Sequence, residues 1–328
     1  MNRDHVDAQQ AAFDAHHDDP GDLPVMRARF EYNGSPRFLL YAIKRLDLDH
    51  RHGFHLDVQL VTDELESGME TIRHRLDEGD TDLVDTDYIS VARERAAGAN
   101  IVAFHPYGRT VGGLVAPEDT AIEGLADLSG HRLGVTRRLD KNWILTRAAC
   151  RKFHDFDPAE TATLVEADSR DDLTRLIRGG EVDAGFQFWP LVPELTETGR
   201  FVEVLPVSDL VQRLAGTDDK LPIATFVTGD SYLDAHPEAV RGFAAAAQDA
   251  VDHLLTRDDI WDDISRRLLP DATVASAVTT GWREMVVTEW GAETIAGMRR
   301  LFDHLHAVAG ADALGVETIP DGTFWLDP

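Results

Sequence analysis

The sequence predicts an α/β protein of two lobes, in which each lobe is a mostly parallel sheet flanked by helices. Short apolar strands alternate with amphipathic helices, and the loops between them are short, as is typical of parallel sheets. The alternation begins near Arg27 and begins again at His131. With 328 residues, 43% of them hydrophobic, the chain is long enough to build more than one core.

The first series of elements begins with a strand in which polar and apolar residues alternate. Pro36 suits the first turn of the helix that follows. Gly79 and Gly98 are placed to end two further helices. The predicted strands cover residues 27–32, 56–61, 83–84, 101–105 and 111–116. The predicted helices cover residues 36–45, 66–78 and 88–97.

The second series has the same alternation, with Ser169 as a helix cap and Gly179 as a helix end. Its strands are predicted at residues 131–135, 163–166, 184–188 and 202–205. Its helices are predicted at residues 143–153, 169–178 and 190–197. An apolar run at 221–228 is expected to return to the first lobe, and 237–255 is a clear amphipathic helix.

These elements predict the domain boundaries. We expect a disordered acidic tail at residues 1–24, a discontinuous first lobe at 25–116 and 227–328, and a second lobe at 117–226. Ligands of open α/β sheets bind at the carboxyl ends of the strands. The strand-to-helix loops of both lobes are therefore expected to face a ligand cleft at the hinge.

The composition is strongly acidic, with 59 acidic against 32 basic residues and a net charge of −27. Only four of the basic residues are lysine. This balance fits a halophilic source, where salt screens dense surface carboxylates. It argues against a nucleic-acid partner, because the phosphate backbone would be repelled.

The chain has one cysteine, Cys150, so an intrachain disulfide and a thiolate metal cluster are excluded. No apolar stretch is long enough to predict a membrane span. The first residues lack a signal pattern. The sequence as given therefore predicts a cytoplasmic protein, and an extracytoplasmic one if a leader is missing from the reported start.

Several segments, in order, resemble one family of transport proteins. They include EGLADLSGHRLGV at residues 123–135, DLVDTDYISVARERAAGANIVAF at 82–104 and GEVDAGFQFWPLVPEL at 180–195. A fourth is the helical segment at 226–255. The chain is similar to solute-binding proteins of ABC importers of the sulfonate/taurine/nitrate class, which also contains thiamine-pyrimidine members.

The resemblance implies a periplasmic-binding-protein fold of the second type. It also implies capture of a small organic anion, such as a sulfonate, a carboxylate or a pyrimidine-like molecule, by hinge closure. An ABC permease would be the partner. A monomer without a cofactor satisfies this arrangement.

The alternative is a cytoplasmic enzyme on the same fold, of desulfinase, decarboxylase or thiamine-pyrimidine precursor type. The iron-binding cysteines of one such enzyme class are missing from residues 221–229, and the nucleophilic cysteine of another is missing from the loop at 33–36. The sequence also lacks a Ser–His–Asp order, a phosphate loop and an HExxH motif. We therefore predict no catalytic residue.

The candidate ligand-binding residues follow predicted strands at the expected cleft. They are Asn33, Ser35, Thr86, Asp87, Tyr88, Arg137, Arg138, Lys141, Asn142, Gln187 and Trp189. Guanidinium and ammonium groups at a helix start suit an oxyanion, and an aromatic ring suits a flat ligand.

Structural alternatives stay open for most of these residues. Ser35 and Asp87 are also placed to cap helices, and Trp189 is also placed to be a core aromatic. The three cations at 137–141 would equally balance nearby acids. His105, Tyr107 and Arg109 would line either the hinge or a solvated loop.

The 14 histidines form small clusters, of which only His50, His52 and His55 lie near aspartates at ligand spacing. This group precedes a strand and is expected on a surface turn. We therefore predict no metal site.

Overall fold

Strands and helices alternate along the part of the chain that the computed structural model describes. This part comprises residues 2–16, 19–62, 76, 79, 81–109, 112–216, 220–269 and 271–327. The chain divides into two units. Unit 1 contains Met1–Tyr107, Ala224–Gly291 and Pro320–Pro328, and unit 2 contains Gly108–Ile223 and Ala292–Ile319.

The strands, in chain order over the described residues, are β1 Val25–Glu31, β2 His55–Val61, β3 Val84–Asp87, β4 Ile101–Gly108, β5 Gly112–Pro117, β6 Arg132–Val135, β7 Thr163–Glu166, β8 Ala184–Phe188, β9 Phe201–Pro206 and β10 Ala224–Gly229. The helices are α1 Asn2–Asp14, α2 Pro36–Arg45, α3 Leu48–Arg51, α4 Tyr88–Ala96, α5 Lys141–His154, α6 Pro158–Thr161, α7 Arg170–Gly179, α8 Val192–Thr196, α9 Val207–Ala215, α10 Asp230–Ala235, α11 Pro237–Thr256, α12 Asp258–Leu268, α13 Ala275–Met285, α14 Ala292–Ala309 and α15 Ala311–Leu314. The predicted helix at 66–78 falls largely outside the described residues.

Unit 2 has one mixed sheet, whereas unit 1 has a parallel pair of strands, β1-β2, and a separate three-stranded sheet of order β3-β10-β4. In unit 1, β1 and β2 are parallel, and β10 runs antiparallel to β3. In unit 2, the strand order is β7-β6-β8-β5-β9, with β6 parallel to β7 and β8, and β5 antiparallel to β8 and β9. The predicted α/β class with helix-flanked sheets is confirmed. The antiparallel pairs involve β5 and β10, which follow the points where the chain enters unit 2 and returns to unit 1.

An aromatic cluster forms the core of unit 1. The ring of Phe243, on the apolar face of α11, lies 5.0 Å from Phe226, 5.7 Å from Phe104 and 6.2 Å from Phe54, measured between centroids. All four side chains are fully buried. Edge-on packing of this kind adds to the stability from apolar burial alone, and it anchors α11 to strands β4 and β10.

The first residues form a helix where the sequence predicted a disordered tail. Helix α1 buries Ala12 and Phe13, and the Phe13 ring packs edge-on against Tyr41 at 5.6 Å. The Gln10 side chain donates to the Val58 carbonyl at 2.9 Å and accepts from the Leu60 amide at 2.8 Å. Helix α1 thus satisfies backbone groups of β2 that sheet pairing would otherwise leave exposed.

The last long helix belongs to unit 2, whereas the sequence placed it in the first lobe. Helix α14 buries Met298, Leu301, Phe302 and Leu305. At its end, the Ala309 carbonyl accepts a 2.6 Å hydrogen bond from Arg151 of α5. Amphipathic spacing predicted this helix correctly, but spacing does not specify which core receives the apolar face.

Replacement of Gly242 by alanine is expected to destabilise unit 1. Alanine is usually better than glycine in a helix by about 1 kcal/mol. A Cβ at Gly242, however, would lie 2.4 Å from the His52 carbonyl oxygen and 3.1 Å from Phe54 Cδ1. Relief of this overlap between backbones should cost about 1–3 kcal/mol net, measured as a lower midpoint of urea unfolding followed by circular dichroism.

The control for this prediction is Gly297→Ala in α14. Its Cβ would meet Leu221 Cδ2, the mobile end of a side chain, at 2.6 Å. Gly297→Ala should therefore shift the midpoint less than Gly242→Ala. A Gly242→Ala protein as stable as the wild type would contradict the close approach of α11 to the backbone at His52.

Candidate functional site

Two helices of unit 2 begin at the same edge of its sheet. Strands β6 and β7 are parallel neighbours, so their carboxyl ends lie together. After β6 the chain turns into α5, where the Asp140 carboxylate caps the helix by accepting from the Asn142 amide at 2.8 Å. This cap fixes Lys141 as the first residue of α5.

Helix α7 begins in the same way after β7. The Ser169 hydroxyl accepts from the Asp172 amide at 3.0 Å, which makes Arg170 the first helical residue. The exposed amides at the start of a helix favour an anion, and α5 and α7 bring two such starts to one edge. Strand β8 is parallel to β6 and ends at Phe188, so a third loop follows at this edge.

The Phe188 ring brings two cations together. The Arg170 guanidinium carbon lies 4.4 Å from the ring centroid, and the Lys141 ammonium nitrogen lies 4.7 Å from it. Both contacts are within the range of a cation–π interaction. Two like charges beside one ring repel each other, and a bound anion would remove that repulsion. We call Lys141, Asn142, Arg170, Phe188 and Trp189 the Phe188 cluster.

The remaining members of the cluster differ in exposure. The Asn142 side chain is fully buried, and its Nδ2 would lie 2.9 Å from a Cβ placed on Gly112. Phe188 and Trp189 are half-buried, and Trp189 opens a 3₁₀ turn at the end of β8. The cluster therefore combines an aromatic surface that solvent reaches with cationic groups above it.

Gln187 supports the cluster from within unit 2. Its side chain is fully buried, and Nε2 donates to the Thr174 hydroxyl at 2.8 Å and the Arg170 carbonyl at 3.0 Å. Its Oε1 accepts from the Phe188 amide at 2.8 Å. Because these bonds use both ends of the amide, Gln187 orients Arg170 and Phe188, and we do not include it among the proposed anion contacts.

The two arginines before α5 lie outside the cluster. Both are exposed, and Arg137 and Arg138 precede the Asp140 cap. Arg138 donates to the Glu166 carboxylate at 2.6 Å with 68% of its side chain in solvent. An ion pair this exposed contributes little to stability. Arg138 thus pairs with a nearby acid, as the structural alternative for these cations predicted.

In unit 1, the first strand-to-helix loop is buried. Asn33 and Ser35 are 4% and 7% exposed. Ser35 makes no capping bond to α2; its side chain instead hydrogen-bonds the Tyr107 hydroxyl, which also accepts from Trp282 Nε1 at 3.2 Å. Burial raises the pKa of Tyr107, so this hydroxyl stays protonated.

A buried cation lies beside the same loop. Arg37 is 3% exposed, and its guanidinium donates to the carbonyls of Gly34 at 2.5 Å and Leu268 at 3.4 Å. The Asp85 carboxylate also acts on Tyr107 and raises its pKa, opposite in sign to the effect of Arg37. The loop thus offers hydroxyl groups in a region of mixed charge.

Thr86, Asp87 and Tyr88 all contribute to the structure of unit 1. The Thr86 carbonyl accepts from Thr225 at 3.1 Å, and the Asp87 carboxylate caps α4 through the Ser90 amide and hydroxyl at 2.8 and 2.7 Å. Tyr88 is fully buried, and its ring lies 6.0 Å from Phe324. We therefore do not include Asp87 and Tyr88 among the proposed ligand contacts. Thr86 is half-buried, and its role as a ligand contact stays a prediction.

His105 is a buried, neutral histidine, and the stability of the protein should depend on it at acid pH. Burial lowers the pKa of His105 from 6.5 to about 4, and its ring stacks on Phe226 at 6.4 Å. Between these values the unfolded chain takes up a proton that the folded protein does not. The contribution of His105 to the free energy of unfolding is therefore complete above pH 6.5. It falls by about 3 kcal/mol between pH 6.5 and pH 4.

His105→Phe keeps a ring on Phe226 and removes the titration. The difference in unfolding free energy between wild type and His105→Phe should therefore change between pH 8 and pH 4.5, in the direction of a relatively more stable variant at pH 4.5. Parallel pH profiles for wild type and His105→Phe would show that His105 titrates normally.

Cys150 is a buried side chain of α5. Burial raises the pKa of its thiol to about 12, and its sulfur lies 3.8 Å from the Leu125 carbonyl. A thiol of this kind is not ionised at neutral pH, so Cys150 is a poor nucleophile. This placement gives no support to thiol chemistry of the desulfinase type.

Arg170 is a member of the Phe188 cluster that was not among the residues singled out from the sequence. Its signal was the capping serine directly after a predicted strand, which places the next side chain at a helix start on the carboxyl edge of the sheet. Arg137 and Arg138 precede the Asp140 cap, and their role as ligand contacts stays a prediction. Lys141 is the cation of the 137–141 group that packs on the Phe188 ring.

The architecture and the sequence identify the class and then the family. The fold of this chain is that of periplasmic binding proteins of known structure, as predicted. The sequence matches the family described as NMT1/THI5 like over residues 55–259, more than half of its length. The chain belongs to the NMT1/THI5-like family. A comparison with curated proteins gives no match.

Three solved structures illustrate the similarity. The periplasmic aliphatic sulphonate binding protein SsuA from Escherichia coli has a TM-score of 0.71 at 17% identity, covering 93% of this chain and 92% of that chain. The alkanesulfonate-binding protein SsuA from Xanthomonas axonopodis pv. citri, bound to MOPS, has a TM-score of 0.69 at 18% identity, with coverages of 93% and 97%. A Candida albicans protein described as defining a new family with the generic periplasmic binding protein fold has a TM-score of 0.59 at 12% identity, with coverages of 93% and 98%.

At identities this low, the structural similarity establishes the fold alone. The ligand of this chain has to be inferred from its own residues. Across the described residues, no helix combines the length and the apolar character that a membrane crossing requires.

Proposed function

We propose that this protein binds a small organic anion and acts as the solute-binding component of an ABC-type importer. The observation that carries the proposal is the pair of cations, Lys141 and Arg170, beside the Phe188 ring at two helix starts. Guanidinium and ammonium donors with helix amides suit a sulfonate or carboxylate head group. The half-buried rings of Phe188 and Trp189 suit an apolar or flat body.

The buried loop at Asn33 and Ser35 in unit 1 is the second proposed contact. Its hydroxyl groups would hydrogen-bond a polar group of a ligand, and its role as a ligand contact stays a prediction. Closure of the two units on the ligand stays a prediction from the family fold. An ABC permease as partner and an extracytoplasmic location belong to the same proposal, because the sulfonate-binding neighbours are described as periplasmic.

A thermal-shift screen in high-salt buffer tests the proposed ligand class. The panel contains ethanesulfonate, MOPS, benzoate, inorganic phosphate and uracil, with ethyl methyl sulfone as a neutral match for the sulfonate. Binding stabilises the folded protein according to concentration and affinity, by about 2.7 kcal/mol at a hundredfold excess over the Kd. We expect a rise in Tm with at least one organic anion and none with the neutral sulfone.

Equal shifts with ethanesulfonate and ethyl methyl sulfone would contradict charge recognition. A hit only with uracil would move the proposal to the pyrimidine class and away from an anion. Mass spectrometry of the recovered ligand separates binding from catalysis, since a binding protein returns the ligand unchanged.

A further inference from the structure

Helix α3 and the start of β2 bring three metal-ligating side chains together in unit 1. His50 Nε2 lies 2.9 Å from His55 Nδ1. One ligand atom each from Asp49, His50 and His55 lie within 4.8 Å of one another. The sequence predicts a surface turn here. His55 is instead 1% exposed and Asp49 is 1% exposed, because the turn folds back on β2.

The Asp49 carboxylate is held rigidly through one of its two oxygens. Its Oδ2 accepts from the Lys44 ammonium at 2.7 Å and from the Leu56 amide at 2.9 Å. Its Oδ1 is buried and accepts no hydrogen bond from any residue that the structure describes. A buried carboxylate oxygen without a donor is costly, by about 1–3 kcal/mol or more, and a cation is one group that would satisfy it.

A carboxylate lies near the second ring nitrogen of His50. Its Nδ1 lies 3.5 Å from the Asp47 carboxylate, while its Nε2 points to His55. In metal sites, a carboxylate beside the second ring nitrogen of a histidine ligand orients the ring. Asp47 itself has a left-handed backbone, with φ of 56°. Few non-glycine residues adopt this conformation, aspartate and asparagine among them.

We propose that Asp49, His50 and His55 form a binding site for a divalent cation of the zinc class. Two imidazoles and one carboxylate are a common ligand set for zinc, with water completing the coordination. His50 would bind through Nε2 and His55 through Nδ1, and Asp47 would act on the metal through His50. Lys44 bonds the other oxygen of Asp49 and so fixes the carboxylate in place. The net charge of −27 favours accumulation of cations at the protein.

His52 supplies a matched control inside the same turn. Its Nε2 pairs with the Asp249 carboxylate at 2.8 Å, and it is not a member of the three-residue group. His52→Gln therefore changes one histidine of the HRHGFH segment and leaves the proposed ligands in place. His50→Gln removes a ligand that is partly exposed, so this variant is expected to fold.

The experiment titrates zinc chloride into the full-length protein after treatment with EDTA, by isothermal calorimetry, and repeats the titration with cobalt chloride by absorption spectroscopy. We expect one tightly bound zinc per chain at this site and a cobalt spectrum typical of nitrogen and oxygen ligands. His50→Gln should lower the affinity by more than about a hundredfold. Asp47→Asn should lower it by about tenfold, the usual effect of a group that acts through a ligand. His52→Gln should bind as the wild type does.

Circular dichroism of each variant distinguishes a lost ligand from a lost fold. If His50→Gln fails to fold, Asp47→Asn carries the test, because asparagine tolerates the left-handed backbone. Zinc binding of equal strength in wild type, His50→Gln and Asp47→Asn would overturn the proposal and place the metal on other histidines of the chain. The absence of stoichiometric binding in the wild type would overturn it as well.

Discussion

Replacement of Arg170 by methionine is expected to weaken binding of the preferred anion by at least about 30-fold. Methionine keeps the length of the side chain and removes the guanidinium beside the Phe188 ring. The loss of one charged contact to a bound anion costs about 2 kcal/mol or more, and every 1.4 kcal/mol is a factor of ten in affinity. The measurement is isothermal calorimetry with the anion that gives the largest thermal shift.

The control for Arg170→Met is Arg175→Met on the same helix. Arg175 is exposed and pairs with Asp172 and Glu181, so its replacement removes an equal charge at a distance from the Phe188 cluster. Arg175→Met should change the affinity less than about twofold, in line with the small effect of screened surface charges. If the two variants lost equal affinity, binding would depend on the overall electrostatic potential of the protein. That result would contradict the role of the Phe188 cluster.

Replacement of Asp157 by asparagine is expected to destabilise unit 2 by about 3 kcal/mol. The Asp157 side chain is 4% exposed and accepts from Arg147 at 2.8 Å and Arg151 at 2.5 Å, both on α5. It also caps α6 through the Ala159 amide at 3.0 Å. Removal of one partner of a buried ion pair leaves the remaining charges poorly compensated. Urea unfolding at neutral pH, followed by circular dichroism, measures the loss.

The same network predicts a dependence on pH. Although burial opposes ionisation of Asp157, hydrogen bonds and charge from Arg147 and Arg151 prevail and lower the pKa of its carboxyl. Its contribution is therefore complete above the unfolded value, near pH 4, and is lost as pH falls through the lower folded value. The stability difference between wild type and Asp157→Asn should shrink below about pH 4.

Asp155→Asn is the control for the second prediction. Asp155 is exposed and has a left-handed backbone with φ of 60°, which asparagine also adopts. This variant should stay within about 0.5 kcal/mol of the wild type, as surface substitutions usually do. A loss at Asp155→Asn equal to that at Asp157→Asn would contradict the assignment of the effect to the buried network.

Local patterns in the sequence predicted most of the elements, because alternation and helical spacing are local properties of the chain. The predicted helix at 237–255 corresponds to α11 Pro237–Thr256, and the predicted strand at 163–166 corresponds to β7 Thr163–Glu166. Helix α1 was missed because its acidic, polar composition hid a short contact face at Gln10, Ala12 and Phe13. That face is stabilised by Tyr41 and β2, which no local pattern reveals.

The candidate site was predictable at the level of loops and less so at the level of side chains. Lys141 was singled out as one of three cations in the loop between a predicted strand and a predicted helix. The sequence did not reveal that Lys141 and Arg170 would both pack on Phe188, since the two cations are 29 positions apart along the chain. The sequence also did not reveal that the Gln187 side chain would donate hydrogen bonds to Thr174 and Arg170. Such pairings depend on tertiary packing.

Direct titration of the ligand tests the central claim, that this chain binds one small organic anion and returns it unchanged. The ligand-free protein in high-salt buffer is titrated by calorimetry with the anion that gives the largest thermal shift. The mass of the recovered ligand is then measured by mass spectrometry. We predict one molecule bound per chain, of unaltered mass, with affinity that falls in Arg170→Met. A ligand recovered with altered mass would contradict the account and favour an enzyme on this fold, and affinity unchanged in Arg170→Met would contradict the proposed site.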